Sequence, residues 1–506
     1  MERAARRDEP GRSPTAGALR GRARARLAPG AARVDARPHR SLAGPGSPLH
    51  PIRRDGAPRL PVRRRLVAVE RHKARDPHGA DRARRKRPVS TPTAGGATAS
   101  AAAGDGVAAA IDGGGGARVA LVHDYLLVSR GAERTFAAIA ACWPEAPIFT
   151  LLYDREGTRR EFAGRSVHAS YLQRLGVGQR NFRRLLPLFP AAVQSLPLDE
   201  YDLVISSSSA FAHGVRLGPD ATHLCYCHSP FRYAWHERSR ALAEAPSSVR
   251  PMLGRLLERI RDWDRAAAQG VTRYVANSLL TRERIRKFYG RHASVVHPPV
   301  EVERFAPGTP EDYFLVVCEL VAHKRVELAL EAARRARRPI KVVGDGPQRA
   351  ELMEAYRSTA EFLGRVDDRE LAQLYARACA LVVPNIEEFG IAAVEAQAAG
   401  RPVIAADGGG ARETVVEDVS GVFFAPGDVD ALAQAMRSID LDRFVSRRIR
   451  EHAARFSPAA FKRTFAAETR RLALAPMVRT PARTGRFSSP PAVAGGRADR
   501  RRAAVA

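Results

Sequence analysis

From Arg118 onward, short apolar runs alternate with segments whose apolar residues recur every three or four positions. Arg118–His123 (R-V-A-L-V-H) reads as a strand ending in polar residues. Gly131 then opens a stretch in which Phe136, Ile139, Ala140 and Trp143 fall at i, i+3, i+4 and i+7, the spacing of one helix face. Further apolar runs follow at Asp202–Ile205, His223–Cys227 and Tyr274–Ala276, separated by helical segments. Strands separated by helices predict a parallel, doubly wound α/β sheet, because parallel neighbours need crossover connections.

The pattern restarts after His297-Pro298-Pro299-Val300, a stiff hinge in which successive prolines forbid both helix and central strand. Strands are expected at Tyr313–Glu319, Pro339–Val343, Ala380–Val383 and Pro402–Ala405. Asp367 and Glu370 form a D-x-x-E start for a helix, another helix lies near Gly390–Ala399, and a last amphipathic one carries Val429, Leu432, Met436 and Ile439. The expected domains are 118–298, 299–457 and a C-terminal helix at 458–476. Ligands of open α/β sheets sit at the carboxyl ends of the strands, so the cleft between the halves is the expected site.

Charge is unevenly spread. The chain has 83 Lys+Arg against 54 Asp+Glu in 506 residues, a formal net charge of +29. Most of the excess falls in 1–117 and 477–506, which are rich in Arg, Ala, Pro and Gly and lack apolar periodicity. Such composition does not offset the entropy of ordering, so both are expected to be disordered basic tails. Three readings fit the first tail: an anion-binding arm whose densest patch is Arg82–Arg87, a solvated tail, or a start codon placed too far upstream. Residues 1–117 hold no Phe, Trp or Tyr on which bases would stack, so nucleic acid is not expected as a partner. No long uncharged apolar run predicts a membrane span, and no secretory pattern follows the basic start. Five scattered cysteines (Cys142, Cys225, Cys227, Cys318 and Cys379) form no zinc pattern. They predict neither disulfides nor a metal site, and fit a reducing cytoplasm.

Several residues have the types and places that sugar-nucleotide chemistry needs. In Glu387-Glu388-Phe389-Gly390-Ile391-Ala392-Ala393-Val394-Glu395, the N–H groups of Phe389, Gly390 and Ile391 fall at a helix N-terminus, an anion site. Glu395 would accept from a ribose diol and Glu387 from a sugar hydroxyl, although a capped helix with acidic first-turn residues has the same sequence. Lys324 and Arg325 are expected to begin the helix after the second half's first strand, where a diphosphate would lie. Gly131 would let phosphate approach from the opposite wall. His228 ends a strand in Cys227-His228-Ser229-Pro230, facing the same cleft, where a structural histidine is the plainer reading.

Taken in order, these motifs resemble the retaining glycosyltransferases of family 4, whose GT-B architecture pairs two Rossmann-like domains. The nearest likeness is to GDP-mannose-type mannosyltransferases of bacterial surface polysaccharide synthesis. It covers roughly 118–470 and rests on H-D-Y-L (123–126), G-A-E-R (131–134), Y-D-L-V-I-S-S-S-S-A-F-A (201–212), C-Y-C-H-S-P-F-R-Y-A-W (225–235) and A-N-S (276–278). It continues through H-P-P-V (297–300), H-K-R-V-E (323–327), V-G-D-G-P (343–347) and E-E-F-G-I-A-A-V-E-A-Q-A-A-G-R-P-V-I-A (387–405). The resemblance implies a nucleotide-diphosphate sugar as donor, an acceptor hydroxyl attacking on the face the leaving group departs from, and no metal or cofactor. It gives Lys324 to the diphosphate, Glu387 to the transferred sugar, Glu395 to the ribose and His228 to the reaction centre.

Two positions depart from the family pattern. Arg usually stands five residues before the lysine, where this chain has Glu319, and the first loop's usual Gly-Gly is Arg130-Gly131. A carboxylate 4 Å from a phosphate charge costs roughly 4 kcal/mol at an effective dielectric of 20. Either Glu319 points away, or Arg325 supplies the second cation; the second is expected. The expected acceptor is a glycan or a lipid-linked glycan. Contact with the anionic inner face of the plasma membrane is expected through Gln173–Leu188, where Arg174, Arg180, Arg183 and Arg184 mix with Leu175, Phe182, Leu185 and Leu186 as in an interfacial helix; a basic flank of the acceptor site fits equally. The alternatives are a UDP- or ADP-sugar donor, or a weakened homologue whose tails bind nucleic acid.

Overall fold

The structure is a computed structural model and describes residues 117–474, except Val177, Gln179 and Arg180. The two basic tails, Ala117 apart, and their Arg82–Arg87 patch lie outside the described residues.

In the first half, β1 (Val119–His123), β2 (Ile148–Thr150), β3 (Val167–Ala169), β4 (Leu203–Ser208), β5 (Thr222–Cys227), β6 (Arg273–Ala276) and β7 (Ala293–Val295) form one sheet in the order β3-β2-β1-β4-β5-β6-β7. In the second, β8 (Phe314–Val317), β9 (Ile340–Val343), β10 (Ala360–Gly364), β11 (Ala380–Val383), β12 (Val403–Ala406) and β13 (Gly421–Phe424) take the order β10-β9-β8-β11-β12-β13. The pairings in both sheets are parallel, with Leu121 opposite Ile205 and Leu381 opposite Val403. Strands covered by helices on both faces are apolar on both, which is why short continuous runs marked them. β11 and β12 are buried along their whole length.

β4 runs farther than its apolar run suggested. Ser206 and Ser207 are buried strand residues whose hydroxyls meet ring nitrogens of His223 (2.7 Å) and His228 (2.8 Å). Burying a hydroxyl costs free energy unless it finds a partner, and β5 brings both partners. Cys225 and Cys227 lie on one face of β5 in the same apolar cluster, and the five cysteines are free thiols.

Strand order reverses between β1 and β4 and again between β8 and β11, and the carboxyl ends at those two switch points line one cleft. Helices α1 (Gly131–Ala140), α2 (Val326–Ala336) and α3 (Ile391–Ala398) start at that level. α1 buries Phe136, Ile139 and Ala140 as its spacing predicts.

The last helix, α4 (Pro458–Leu474), does not stand apart. Its Phe461, Phe465 and Ala466 pack in the first half's core with Trp143 and Tyr226. Glu468 accepts from Ser294 Oγ at 2.8 Å and pairs with Arg273 at 3.4 Å. The chain therefore passes between the halves twice, at the proline hinge and near Phe456. The two passages are tied by a Val300 N–H to Phe456 carbonyl bond of 2.8 Å.

Gln173–Leu188 is not one amphipathic helix. It holds two 3-10 turns, Tyr171–Leu175 and Phe182–Leu188, the first ended by Gly176 at φ 62° and the second containing Pro187. Phe182, Leu185 and Leu186 pack against the first half's core while Leu175 and Leu188 stay exposed, and Arg180 lies outside the described residues. Among the described residues no helix is long and apolar enough to cross a membrane.

Candidate active site

The cleft has a volume of ≈ 720 Å³, within the range of small-molecule ligand sites. Gly131, His228, Lys324, Glu387, Gly390 and Glu395 all line it, brought from both halves. α1 and α3 start beside one another there: a Cβ placed on Gly131 would lie 2.7 Å from Ile391 Cδ1. Two helix N-termini, each with free N–H groups and a partial positive charge, thus face one space. Gly390 caps α3 at φ 95°, a conformation that an L side chain rarely adopts.

Lys324 ends a 3-10 turn after β8 and does not begin the helix as expected; α2 starts at Val326. Its ammonium donates to both oxygens of Glu387, at 2.6 and 2.8 Å. Burial alone would push Lys324 down, but Glu387 outweighs it and the ammonium is held above its ordinary range. Glu395 is buried, accepts from Tyr375 Oη at 2.9 Å and has Arg134 of α1 3.9 Å away. Burial pushes its carboxyl up, against the pull of Tyr375 and Arg134. His228 sits edge-on to His123 and Tyr226, and burial, then His123, lowers it to about 3. It is therefore a neutral imidazole at physiological pH.

Arg325 is placed elsewhere. It takes the left-handed conformation (φ 51°) between the 3-10 turn and α2, and its guanidinium lies over Gly427. It lines a side cavity of ≈ 230 Å³ that meets the cleft at Arg232, Asn385, Glu387 and Glu388. The left-handed turn thus carries it away from the space that Lys324 faces.

Glu319 does line the cleft, and its carboxylate pairs with Arg130, which sits immediately before α1 (3.1 and 3.4 Å). The loop that carries it rests on the V-G-D-G-P segment. A Cβ on Gly344 (φ 132°) would fall 1.8 Å from the Cys318 carbonyl oxygen, so only glycine lets the two backbones approach.

Sequence reasoning missed a second carboxylate centre. Glu388 gathers Arg284 (2.9 Å), His236 (3.8 Å) and Arg232 (3.9 Å), two guanidinium groups and an imidazole of the first half. Burial raises its carboxyl, but these partners prevail and hold it well below the usual range. The available signals were the Glu387-Glu388 doublet and Arg232 inside the 225–235 motif. Asp124 of H-D-Y-L was also unassigned: buried, it accepts backbone N–H groups of Phe211 (2.7 Å) and Ala212 (2.6 Å), fixing the loop after β4. Among the described residues no group of three or more His, Cys, Asp or Glu is placed to hold a metal ion.

Comparison with known proteins follows the same division. The "Glycosyltransferase Family 4" model matches residues 129–304 and the "Glycosyl transferases group 1" model residues 300–463. Glycogen synthase of Mycobacterium tuberculosis is 37% identical over 160 residues, 29% of this chain and 38% of that one. The GDP-mannose-dependent monoacylated alpha-(1-6)-phosphatidylinositol monomannoside mannosyltransferase of Corynebacterium glutamicum is 30% identical over 192 residues, 31% of this chain and 50% of that one. The chain thus spans half or less of these curated relatives. Sucrose-phosphate synthase of Thermosynechococcus elongatus superposes with a TM-score of 0.55 at 19% identity, covering 70% of this chain and 98% of that one. Anabaena HepE, solved with UDP and glucose, gives 0.52 at 19% identity over 70% and 99%. With family models running through both halves and two parallel sheets closing on one cleft, the chain belongs to glycosyltransferase family 4 and has its GT-B architecture.

Proposed function

We propose that this chain is a retaining glycosyltransferase that moves a sugar, mannose from GDP-mannose, onto a glycan or lipid-linked acceptor. The observation that carries the reading is the Lys324–Glu387 pair set between the starts of α1 and α3. The ammonium and the two sets of helix N–H groups meet the charge that develops on the departing diphosphate, and Glu387 turns toward a sugar hydroxyl. Glu395 takes the ribose. The acceptor hydroxyl attacks on the face from which the diphosphate leaves; its oxygen bonds the anomeric carbon as the bond to phosphate breaks, and its proton goes to the departing phosphate. No enzyme nucleophile takes part, so rate comes from positioning and charge stabilisation. His228 stays neutral beside the reaction centre and donates or accepts hydrogen bonds without adding charge.

The acceptor enters by the side cavity, which opens beside Glu387 and is lined by Arg232, Arg240, Arg284 and Arg325. Arg232, Arg240 and Arg284 are already paired with Glu388 and Glu237, which leaves Arg325 to meet an anionic group on the acceptor.

The donor is tested by offering GDP-mannose, UDP-glucose and ADP-glucose in separate reactions with pooled cell-envelope glycans and measuring release of nucleoside diphosphate. GDP release from GDP-mannose is expected. Release from a UDP- or ADP-sugar alone would replace the donor and keep the mechanism, and no release from any would count against transfer.

A further inference from the structure

The two positions at which this chain leaves its family's pattern stand 189 residues apart in sequence and meet across the cleft as an ion pair, Arg130 with Glu319. We propose that Arg130 is the second cation on the donor's diphosphate, supplied by the first half, and that Glu319 is the partner it exchanges for phosphate. This rests on the nucleotide-sugar reading above.

Of the cleft's other cationic side chains, Arg365 lines it from the second half, Arg232 is paired with Glu388, and the rest have partners or places elsewhere. Lys324 is held by both oxygens of Glu387 and is 21% exposed against 18% for its partner. Arg134 reaches Glu395 and Asp368, both at 3.9 Å. Arg325 faces the side cavity. Arg130 is the more open, its side chain 47% exposed against 40% for Arg134, and its partner Glu319 is 40% exposed. Water already competes for a pair so open, and such pairs are worth little to fold stability, so it parts readily.

Place and shape point the same way. Arg130 directly precedes α1, whose first residue, Gly131, lines the cleft with Lys324. A planar guanidinium that grips a carboxylate with two N–H groups grips a phosphate in the same way. Glu319 by itself would repel a diphosphate, and Arg130 removes that repulsion before it adds attraction. Losing Arg130 therefore costs twice, once through the missing cation and once through the bared carboxylate, whereas losing Glu319 frees Arg130.

The test is a calorimetric titration of the full chain with GDP, UDP and ADP, and with the matching free nucleosides. Unfolding midpoints of the unliganded variants show that each is folded. Arg130→Ala is expected to weaken the tightest nucleoside diphosphate at least tenfold and to leave its nucleoside unchanged. Glu319→Gln is expected to tighten the diphosphate. Arg130→Ala with Glu319→Arg is expected to return within about threefold of wild type, the cation now coming from the other wall. The proposal is overturned if Arg130→Ala binds as wild type does, or if Arg130→Ala with Glu319→Ala does, since Arg130 would then serve only to neutralise Glu319. A wild-type chain that binds none of the three diphosphates overturns the nucleotide-sugar reading itself, and is told apart because no variant is involved.

Discussion

His223 lies deeper along β5 than His228, fully buried with its Nε2 2.7 Å from Ser206 Oγ. Burial, then His213, lowers it to about 3, while the unfolded chain takes up that proton near pH ~6.5. Between these values the unfolded state binds a proton that the folded state refuses, so stability falls as pH falls. Each such histidine adds a slope of about 1.4 kcal/mol per pH unit. His223→Gln is expected to remove about that much from the pH dependence of the unfolding free energy on the acid side of neutrality, measured by urea titration. An unchanged slope would contradict the burial argument. Among site residues, local reading found those whose chemistry and strand-end position coincide: Lys324, Glu387, Glu395, Gly131 and His228 converge as the motifs suggested. It did not find Glu388, because that carboxylate owes its role to Arg232, Arg284 and His236, which no local window includes.

The βα units were legible where a strand is a short apolar run buried on both faces, as in β11 and β12, whereas β3, β7 and β10, only partly buried, were not marked. Asp367 caps its helix as read, accepting from the Glu370 N–H at 2.8 Å. Errors came where backbone conformation decides direction. Lys324 and Arg325 are adjacent, yet the left-handed turn at Arg325 sends one into the cleft and the other into the side cavity. Gln173–Leu188 has the composition of an interfacial helix, but Gly176 and Pro187 divide it, and Phe182, Leu185 and Leu186 turn inward while Leu175 and Leu188 stay exposed. Arg325→Ala is accordingly expected to leave the dissociation constant for nucleoside diphosphate within about threefold of wild type in the same calorimetric titration. A tenfold loss, equal to about 1.4 kcal/mol, would return Arg325 to the diphosphate.

Across the whole molecule, the halves meet with complementary charge. Arg130, Arg134, Arg232 and Arg284 come from the first half, and Glu319, Glu388, Glu395 and Asp368 answer from the second. Leu279 N–H and His297 both reach Glu413 as well (2.8 and 2.9 Å). The return of α4 to the first half completes this union, and its destination could not be read locally because a helix pattern does not name the surface it covers. The central claim is that the cleft so formed holds a nucleoside diphosphate on Lys324. Thermal unfolding of the full chain with GDP, UDP or ADP tests it, for wild type and for Lys324→Ala. Ligand at ~100 times its dissociation constant adds about 2.7 kcal/mol, enough to raise the midpoint by several degrees. A rise is expected for wild type with GDP, and its loss in Lys324→Ala; no rise with any of the three, or an equal rise in the variant, would show that Lys324 does not hold a nucleoside diphosphate there.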